Sequence, residues 1–388
     1  MRRLLRAVET VMHDRSGANA RLALMLHGIS HGYSMAVRTR VRLFRQQRLV
    51  SQRLPCKIVS VGNITLGGTG KTPMSIYLAQ LIKKAGYRVA VVSRGYKGQA
   101  EKTGGIVSDG RALQMRPSAA GDEPYLMAQK LLPMGIPVLV GQDRVRSGHL
   151  ALRRFAVEVI VLDDGFQHLR LQRDLDIVLL DAAKPVGNGF LLPRGTLREP
   201  LAALSRADMV LLTRCPQEIV ANRQTDHFQA RVTAAATPER CPVFPVAHTP
   251  FMVECVPVST HARRATQMGL EAPMRRPVYA FSGIARNSAF RRTLVDMGYD
   301  LLGWQAFGDH HRYSANAIDA IGARAQRKGA QLLVTTEKDR VKIADAWIRH
   351  LPLLVVGIRM DFGVYTEAFE QFVIRKLESA DNVASVGH

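Results

Sequence analysis

The sequence predicts an α/β protein: a parallel-sheet nucleotide-binding domain, a second and smaller α/β domain after it, and a basic amphipathic helix in front. Three observations carry this reading. Near-continuous apolar runs alternate with helical patterns from residue 56 to about 235, as strands covered on both faces do. Residues 65–73 read Thr-Leu-Gly-Gly-Thr-Gly-Lys-Thr-Pro, between the first apolar run and the first helical pattern. Residues 1–50 carry ten arginines against only Glu9 and Asp14.

Within residues 1–50, Leu22, Met25, Leu26, Ile29, Tyr33, Ala36, Val37, Val41 and Phe44 fall mostly at spacings of three and four. On a helix this makes an apolar stripe bordered by arginines, the pattern of a segment lying in an anionic membrane interface. A helix packed on its own domain gives the same spacing, and Gly28 and Gly32 weaken either helix. No apolar run reaches the roughly eighteen residues of a membrane span. The apolar stretches at the start are too short and too interrupted by charge for a signal peptide.

Residues 51–235 read as the nucleotide-binding domain. A strand at 56–61 leads into the glycine-rich loop, and a helix at 74–84 leaves it. Backbone N–H groups in such a loop converge on phosphate oxygens, and the helix dipole favours the anion. This is the P-loop NTPase arrangement, with Thr65, Leu66, Gly67, Gly68, Thr69, Gly70, Lys71 and Thr72 as the ATP-binding residues. Lys71 reaches the β- and γ-phosphates and the Thr72 hydroxyl holds Mg²⁺. Pro73 suits a first helical turn, where no N–H is needed. The usual pattern has glycine where this chain has Thr65. Further strands fit 87–93, 136–140, 157–162, 176–181 and 207–213, with helices at 123–132 and 144–155.

Residues 236–277, rich in proline and poor in periodicity, read as a linker. Residues 278–388 read as the smaller domain, with strands at 278–282, 332–336 and 353–357 and helices at 287–297, 314–328 and 365–377. The net charge of +22 over 388 residues calls for a negatively charged partner: nucleic acid, an anionic membrane surface or a phosphorylated substrate. Cys56, Cys215, Cys241 and Cys255 form no Cys-x-x-Cys pair, which argues against a zinc or disulfide framework.

Asp163 and Asp164 follow a buried strand, where carboxylates hold Mg²⁺ or its waters beside a phosphate loop. Asp122, in Gly-Asp-Glu-Pro, stands where a helix cap would also stand. Asp309-His310-His311 has no accompanying ligand cluster and makes a poor zinc site. Arg194 and Arg198, on an irregular loop, either grip phosphate or are surface charge.

Seven motifs in order then add up to a family resemblance. Residues 65–73, Ser-Arg-Gly-Tyr at 93–96, Gly-Asp-Glu-Pro at 121–124 and Asp-Asp-Gly-Phe-Gln-His at 163–168 are followed by three more. These are Leu-Pro-x-Gly-x-Leu-Arg-Glu-Pro at 192–200, Asp-His-His at 309–311 and Thr-Thr-Glu-Lys-Asp at 335–339. Together they resemble the tetraacyldisaccharide 4′-kinase family, in which Thr65 is itself part of the loop pattern. The resemblance implies Mg²⁺–ATP-dependent phosphorylation of the 4′-hydroxyl of a tetraacylated glucosamine disaccharide 1-phosphate, giving lipid IVA in lipid A biosynthesis. It implies Asp122 as catalytic base, His310 as its partner, Lys71 on the phosphates, and Thr72, Asp163 and Asp164 at the metal. It also implies a peripheral or monotopic protein on the cytoplasmic face of the bacterial inner membrane, with no nucleic acid and no obligate protein partner. The chain departs from the family at 285–288, where Ala-Arg-Asn-Ser stands after Gly-Ile instead of Asn-Pro. The rivals are nucleic-acid-dependent or membrane-bound P-loop ATPases, motivated by charge alone; no base-reading module supports the former. A partitioning ATPase needs lysine where this chain has Leu66.

Overall fold

A computed structural model describes residues 2–13, 20–222, 241–258 and 276–385. The predicted α/β class holds, with a large, mostly parallel sheet. Its first seven strands are β1 Lys57–Gly62, β2 Val89–Ser93, β3 Gly105–Ser108, β4 Val138–Val140, β5 Val159–Asp163, β6 Leu175–Asp181 and β7 Met209–Thr213. The remaining five are β8 Val243–Val256, β9 Pro277–Ser282, β10 Asp300–Ala306, β11 Leu332–Thr336 and β12 Leu353–Asp361. They lie side by side in the order β10-β9-β11-β12-β8-β7-β6-β1-β5-β2-β4-β3. Among the described strands only the β3–β4 and β8–β12 pairs are antiparallel.

The sequence reading needs two corrections here. The described part of the 236–277 linker contains a fourteen-residue strand, β8. Its start pairs with β7 in parallel and the rest pairs with β12 antiparallel, so β8 joins the two halves into one sheet. Pro245 and Pro250 masked it, because proline donates no ladder hydrogen bond and reads as a strand breaker. Residues 236–240 and 259–275 of that stretch lie outside the described residues. The second correction concerns the helix Thr366–Ser385, read as part of the smaller domain. Its Phe369, Val373 and Leu377 pack into the core of the first half, beside Val59, Met74 and Leu78. Tyr77 Oη fixes it further by donating to Glu370 Oε1 at 2.7 Å.

Helix α1 (Arg2–His13) and helix α2 (Ala20–Arg45) precede β1, and helix α3 (Lys71–Lys84) follows it. In α3, Met74, Leu78, Ala79 and Ile82 recur at helical spacing and are fully buried. Each large one contributes about 1.5–3 kcal/mol of burial, which anchors the loop in front of it. Helix α4 (Asp122–Leu131) buries Met127, Ala128 and Leu131 against the same core. Helix α5 (Arg144–Phe155) is capped by Asp143, whose side chain accepts from Val145 N and Arg146 N.

Of the stripe predicted on α2, Leu26 is buried, Leu22, Tyr33, Val37, Val41 and Phe44 are half-buried, and Met25, Ile29 and Ala36 are exposed. Leu26 and Ser30 are buried, and the Ser30 hydroxyl donates to Leu191 O. Leu24, Met25, Ile29 and Met35 point away and are 74%, 57%, 52% and 68% exposed, an unpartnered apolar face among arginines. Of the other predicted cations, Arg15 lies outside the described residues.

Candidate active site

The phosphate loop turns between β1 and α3 as its sequence requires. Gly67 and Gly70 have φ of 112° and 93°, in the left-handed region that favours glycine. A side chain at Gly67 would meet nothing, so the face of the loop is open for phosphate oxygens. A Cβ at Gly70 would sit 2.7 Å from His248 Nε2, so the last glycine of the loop is also required by close approach. Thr65 and Thr69 are buried; Asn63 Nδ2 donates to Thr69 Oγ1 at 3.2 Å, and Leu66 N donates to Thr196 O at 2.6 Å. Thr65 is bridged to Leu197 and forms a wall of the loop.

Asp163 and Asp164 end β5 beside the loop but differ sharply. Asp163 is buried, and its two oxygens accept from Ser75 Oγ and Ser93 Oγ, both at 3.0 Å. Burial, with the charges of Glu123 and Asp164, pushes its carboxyl up to about 6. Asp164 adopts a positive φ of 54° and turns toward the loop, 3.5 Å from Lys71 Nζ and 3.0 Å from Arg198 Nη1. Burial would raise it, but Lys71 and Arg198 hold it down at about 2. The serines beside Asp163 carry no family motif of their own, apart from Ser93 in Ser-Arg-Gly-Tyr.

The two arginines of the 192–200 loop separate as well. Arg198 faces Asp164. Arg194 is buried, donates to Val11 O at 2.9 Å and lies over the Phe190 ring. It clamps α1 to the body and is neither a phosphate ligand nor surface charge.

Asp122 and His310 come from opposite halves of the sheet and meet, His310 Nδ1 standing 3.1 Å from Asp122 Oδ2. Gly121, with φ of 91°, lets the chain pass under Tyr96 O, and Tyr96 sets its ring edge-on to His310. His310 itself has φ of 62°, held by its N–H on Gly283 O. Around this pair stand residues that motif reading left without a role. Lys342 Nζ is 3.4 Å from Asp122 Oδ2 and 2.8 Å from Asp339 Oδ1. Lys338 Nζ bridges Glu123 at 2.9 Å and Asp309 at 3.3 Å, and Lys130 pairs with Glu337. Burial tends to raise Asp122, yet the His310 hydrogen bond and the lysines leave it below the usual carboxylate value. Lys338 and Asp339 lie in the Thr-Thr-Glu-Lys-Asp motif, the one signal that pointed to this corner.

Arg144 was also missed. It is 4% exposed, donates to Gly141 O and Gln142 O, and its charge acts on Asp163 and Asp164. A cavity of about 1610 Å³ is lined by the loop, Asp164, Arg144, Arg198 and His310. Among the described residues no group of three or more His, Cys, Asp or Glu side chains forms a metal site by itself. That donor set fits Mg²⁺ held by one or two carboxylates, with phosphate and water completing its shell. His311 is no ligand either, since it stacks on Phe307 at 4.3 Å.

Residues 22–378 match the family described as tetraacyldisaccharide-1-P 4′-kinase. A tetraacyldisaccharide 4′-kinase from Desulfatibacillum aliphaticivorans is 40% identical over 384 residues, covering 97% of this chain and 99% of that protein. One from Syntrophus aciditrophicus (strain SB) is 40% identical over 358 residues, covering 92% and 93%. The crystal structure of LpxK from Aquifex aeolicus in complex with ATP is similar at a TM-score of 0.68 and 31% identity, covering 92% of this chain and 99% of that one.

Proposed function

We propose a division of work among these residues from a plain premise: this chain belongs to the tetraacyldisaccharide 4′-kinase family. It is an ATP-dependent kinase of lipid A biosynthesis. The reaction moves the γ-phosphoryl of ATP to the 4′-hydroxyl of a tetraacylated glucosamine disaccharide 1-phosphate.

ATP lies with its phosphates on the loop and its γ-phosphoryl toward Asp164. Lys71, now 3.5 Å from Asp164, neutralises the charge that spreads over the transferring group. Arg198, on the other side of Asp164, does the same from the 192–200 loop. Thr72 and Asp164 would hold Mg²⁺, which would supply positive charge to offset that of the phosphates. Asp163 orients this arrangement through Ser75 and Ser93.

The acceptor's proton goes to Asp122. His310 and Lys342 both engage Oδ2, and Oδ1 has no hydrogen bond among the described residues. Oδ1 therefore takes the proton of the 4′-hydroxyl as its oxygen bonds to phosphorus and ADP leaves. Lys342 keeps the carboxylate ionised and His310 fixes its rotamer. The two groups come from different halves, so closing the cleft completes the base only around bound substrate and shields ATP from water.

The exposed apolar face of α2 serves the lipid. Its arginines contribute about 1 kcal/mol each near an anionic surface, enough together for reversible docking. No helix among the described residues is long and apolar enough to cross a membrane. The protein accordingly docks peripherally on the cytoplasmic face of the inner membrane, where ATP is available.

The 3.1 Å contact between Asp122 and His310 carries the assignment of the base. Asp122→Asn lowers kcat about 10²–10⁴-fold with ATP affinity retained, and His310→Ala does comparable damage. The double variant loses little more, because groups acting as a unit are not additive. Multiplicative loss, or a fully active Asp122→Asn enzyme, removes Asp122 as the base.

A further inference from the structure

The opposite flank of the phosphate loop carries a second charged assembly, which the transfer chemistry does not use. Asp181 ends β6, with its side chain 5% exposed. Its Oδ2 accepts from Arg214 Nη1 and from Arg286 Nη1, both at 2.5 Å, and Oδ1 accepts from Ala183 N. Arg214, at the end of β7 with φ of 60°, also donates through Nη2 to Gly68 O of the loop. Arg286 comes from the other half of the sheet, on the turn after β9 where the chain departs from the family pattern. Two guanidinium groups thus share one carboxylate oxygen, leaving one surplus positive charge next to the loop.

The surroundings do not neutralise it. His248, on β8, stands against Gly70 with its Nε2 buried and unpartnered. Burial and then the Arg214 cation push it down to about 3, so it adds no charge and offers no anion. Burial and the neighbouring Arg286 likewise lower Arg214 from the ordinary guanidinium value, a sign of crowded like charge. Gly68, Gly70, Arg214, His248 and Arg286 line the same cavity as Lys71. Arg286 keeps 43% of its side chain exposed there, so it is the member of the cluster that can reach a ligand.

β5 ends at Asp163, with Asp164 after it, and flanks β1 on one side; β6, β7 and β8 lie on the other. On the pose given above, with the γ-phosphoryl toward Asp164, the α- and β-phosphates run toward the β6–β8 flank. We propose that Arg286 is a positioning residue for the nucleotide, a cation from the second half of the sheet that exchanges Asp181 for the α/β-phosphate end of ATP and so ties nucleotide binding to cleft closure. The cost of leaving Asp181 is small, because Arg214 stays on the same oxygen. The proposal rests on the nucleotide pose given above.

The test is ADP binding with Mg²⁺ by titration calorimetry, since ADP lacks the γ-phosphate that the other flank handles. Arg286→Ala weakens ADP and ATP binding equally, about tenfold as expected for one charge-assisted contact, and Arg286→Lys restores part of it. KM for the lipid acceptor and Tm stay close to the parent values, so the loss of ADP affinity is not a general loss of folding or of the acceptor site. Lys71→Ala on the parent tests the pose independently: if it leaves ADP binding intact, the pose itself is wrong. If Lys71→Ala abolishes binding and Arg286→Ala leaves ADP affinity within twofold, Arg286 is only a surface ion pair. Loss confined to ATP places Arg286 on the γ-phosphate and also overturns the proposal.

Discussion

On one flank of the phosphate loop, Asp122 meets His310 at 3.1 Å inside a mesh of lysines and carboxylates. On the other, Asp181 takes Arg214 and Arg286 on a single oxygen beside Gly68 and Gly70. Both assemblies cross from one half of the sheet to the other, and both use an aspartate at their centre. They differ in the cation. Lysine point charges around Asp122 hold the carboxyl of the proposed base low without occupying its Oδ1, whereas arginine forks around Asp181 are geometric clamps. The acceptor flank is also tied to α2, since Tyr33 Oη donates to Arg198 O at 2.8 Å and Arg40 Nη1 to Gln167 O at 3.2 Å. In the proposed division of work, the acceptor hydroxyl and α2 share one side, and Arg286 meets the nucleotide from the other.

The largest expected effect falls on the residue between the flanks. Lys71→Ala lowers turnover by about 10³-fold or more, because it removes a cation from the transferring phosphoryl group. Near-normal transfer to lipid in a single-turnover assay would break the comparison, since neither flank would then border the nucleotide site.

Membrane docking sharpens it next. Replacing Met25, Ile29 and Met35 with Gln removes three exposed apolar side chains, each contributing up to about 1.5–3 kcal/mol when buried in lipid. Co-sedimentation with anionic vesicles should fall by about 10²-fold or more, and the lipid KM should rise, while ADP binding is unchanged. A parallel loss of ADP affinity would mean that α2 serves both flanks.

A smaller effect tests the lysine mesh. Lys342→Met removes a cation 3.4 Å from Asp122, so the Asp122 carboxyl rises from its lowered position toward its ordinary value. The base is then protonated at higher pH than in the parent. kcat falls on the acid limb and recovers once the pH is well above the raised carboxyl value, with KM for ATP unmoved. Lys342→Arg should restore the acid limb. A uniform loss at every pH would make Lys342 a packing residue only.

The smallest effect is on stability. Asp122 is held below its unfolded value, so its stabilising contribution is present above about pH 4 and disappears as pH falls through the folded value. Asp122→Asn should therefore melt at most a few degrees lower at neutral pH, the gap closing in acid. A gap that persists at low pH would show that packing, not charge, is lost.

Local rules gave the sequence-legible parts. Strand, glycine turn, Lys-Thr and helix lie within thirty residues of one another, and each piece obeys backbone geometry that neighbouring residues dictate. Buried strands such as β1, β5 and β6 announce themselves as unbroken apolar runs, because both faces are covered. Motif order carried the dyad, with Asp122 and His310 named from sequence and brought together in the structure across 188 residues. β8 was illegible because prolines interrupt a strand whose ladder partners, β7 and β12, lie elsewhere in the chain. Arg194 looked like a surface cation until the Val11 carbonyl, 183 residues away, claimed it.

The sequence by itself determined the phosphate loop and the α/β class, since these follow from neighbouring residues: backbone conformation, helix and strand periodicity, and spacing; the Asp122 and His310 motifs were legible only through the family resemblance. Only the tertiary structure decided that the two halves share one sheet, that Asp163 and Asp164 have opposite environments, and that Asp181, Arg214 and Arg286 form one cluster. Those facts depend on burial and on charges brought within a few ångströms from distant segments. No local pattern encodes such distances, because Coulomb energy and desolvation are set by what surrounds a group in space.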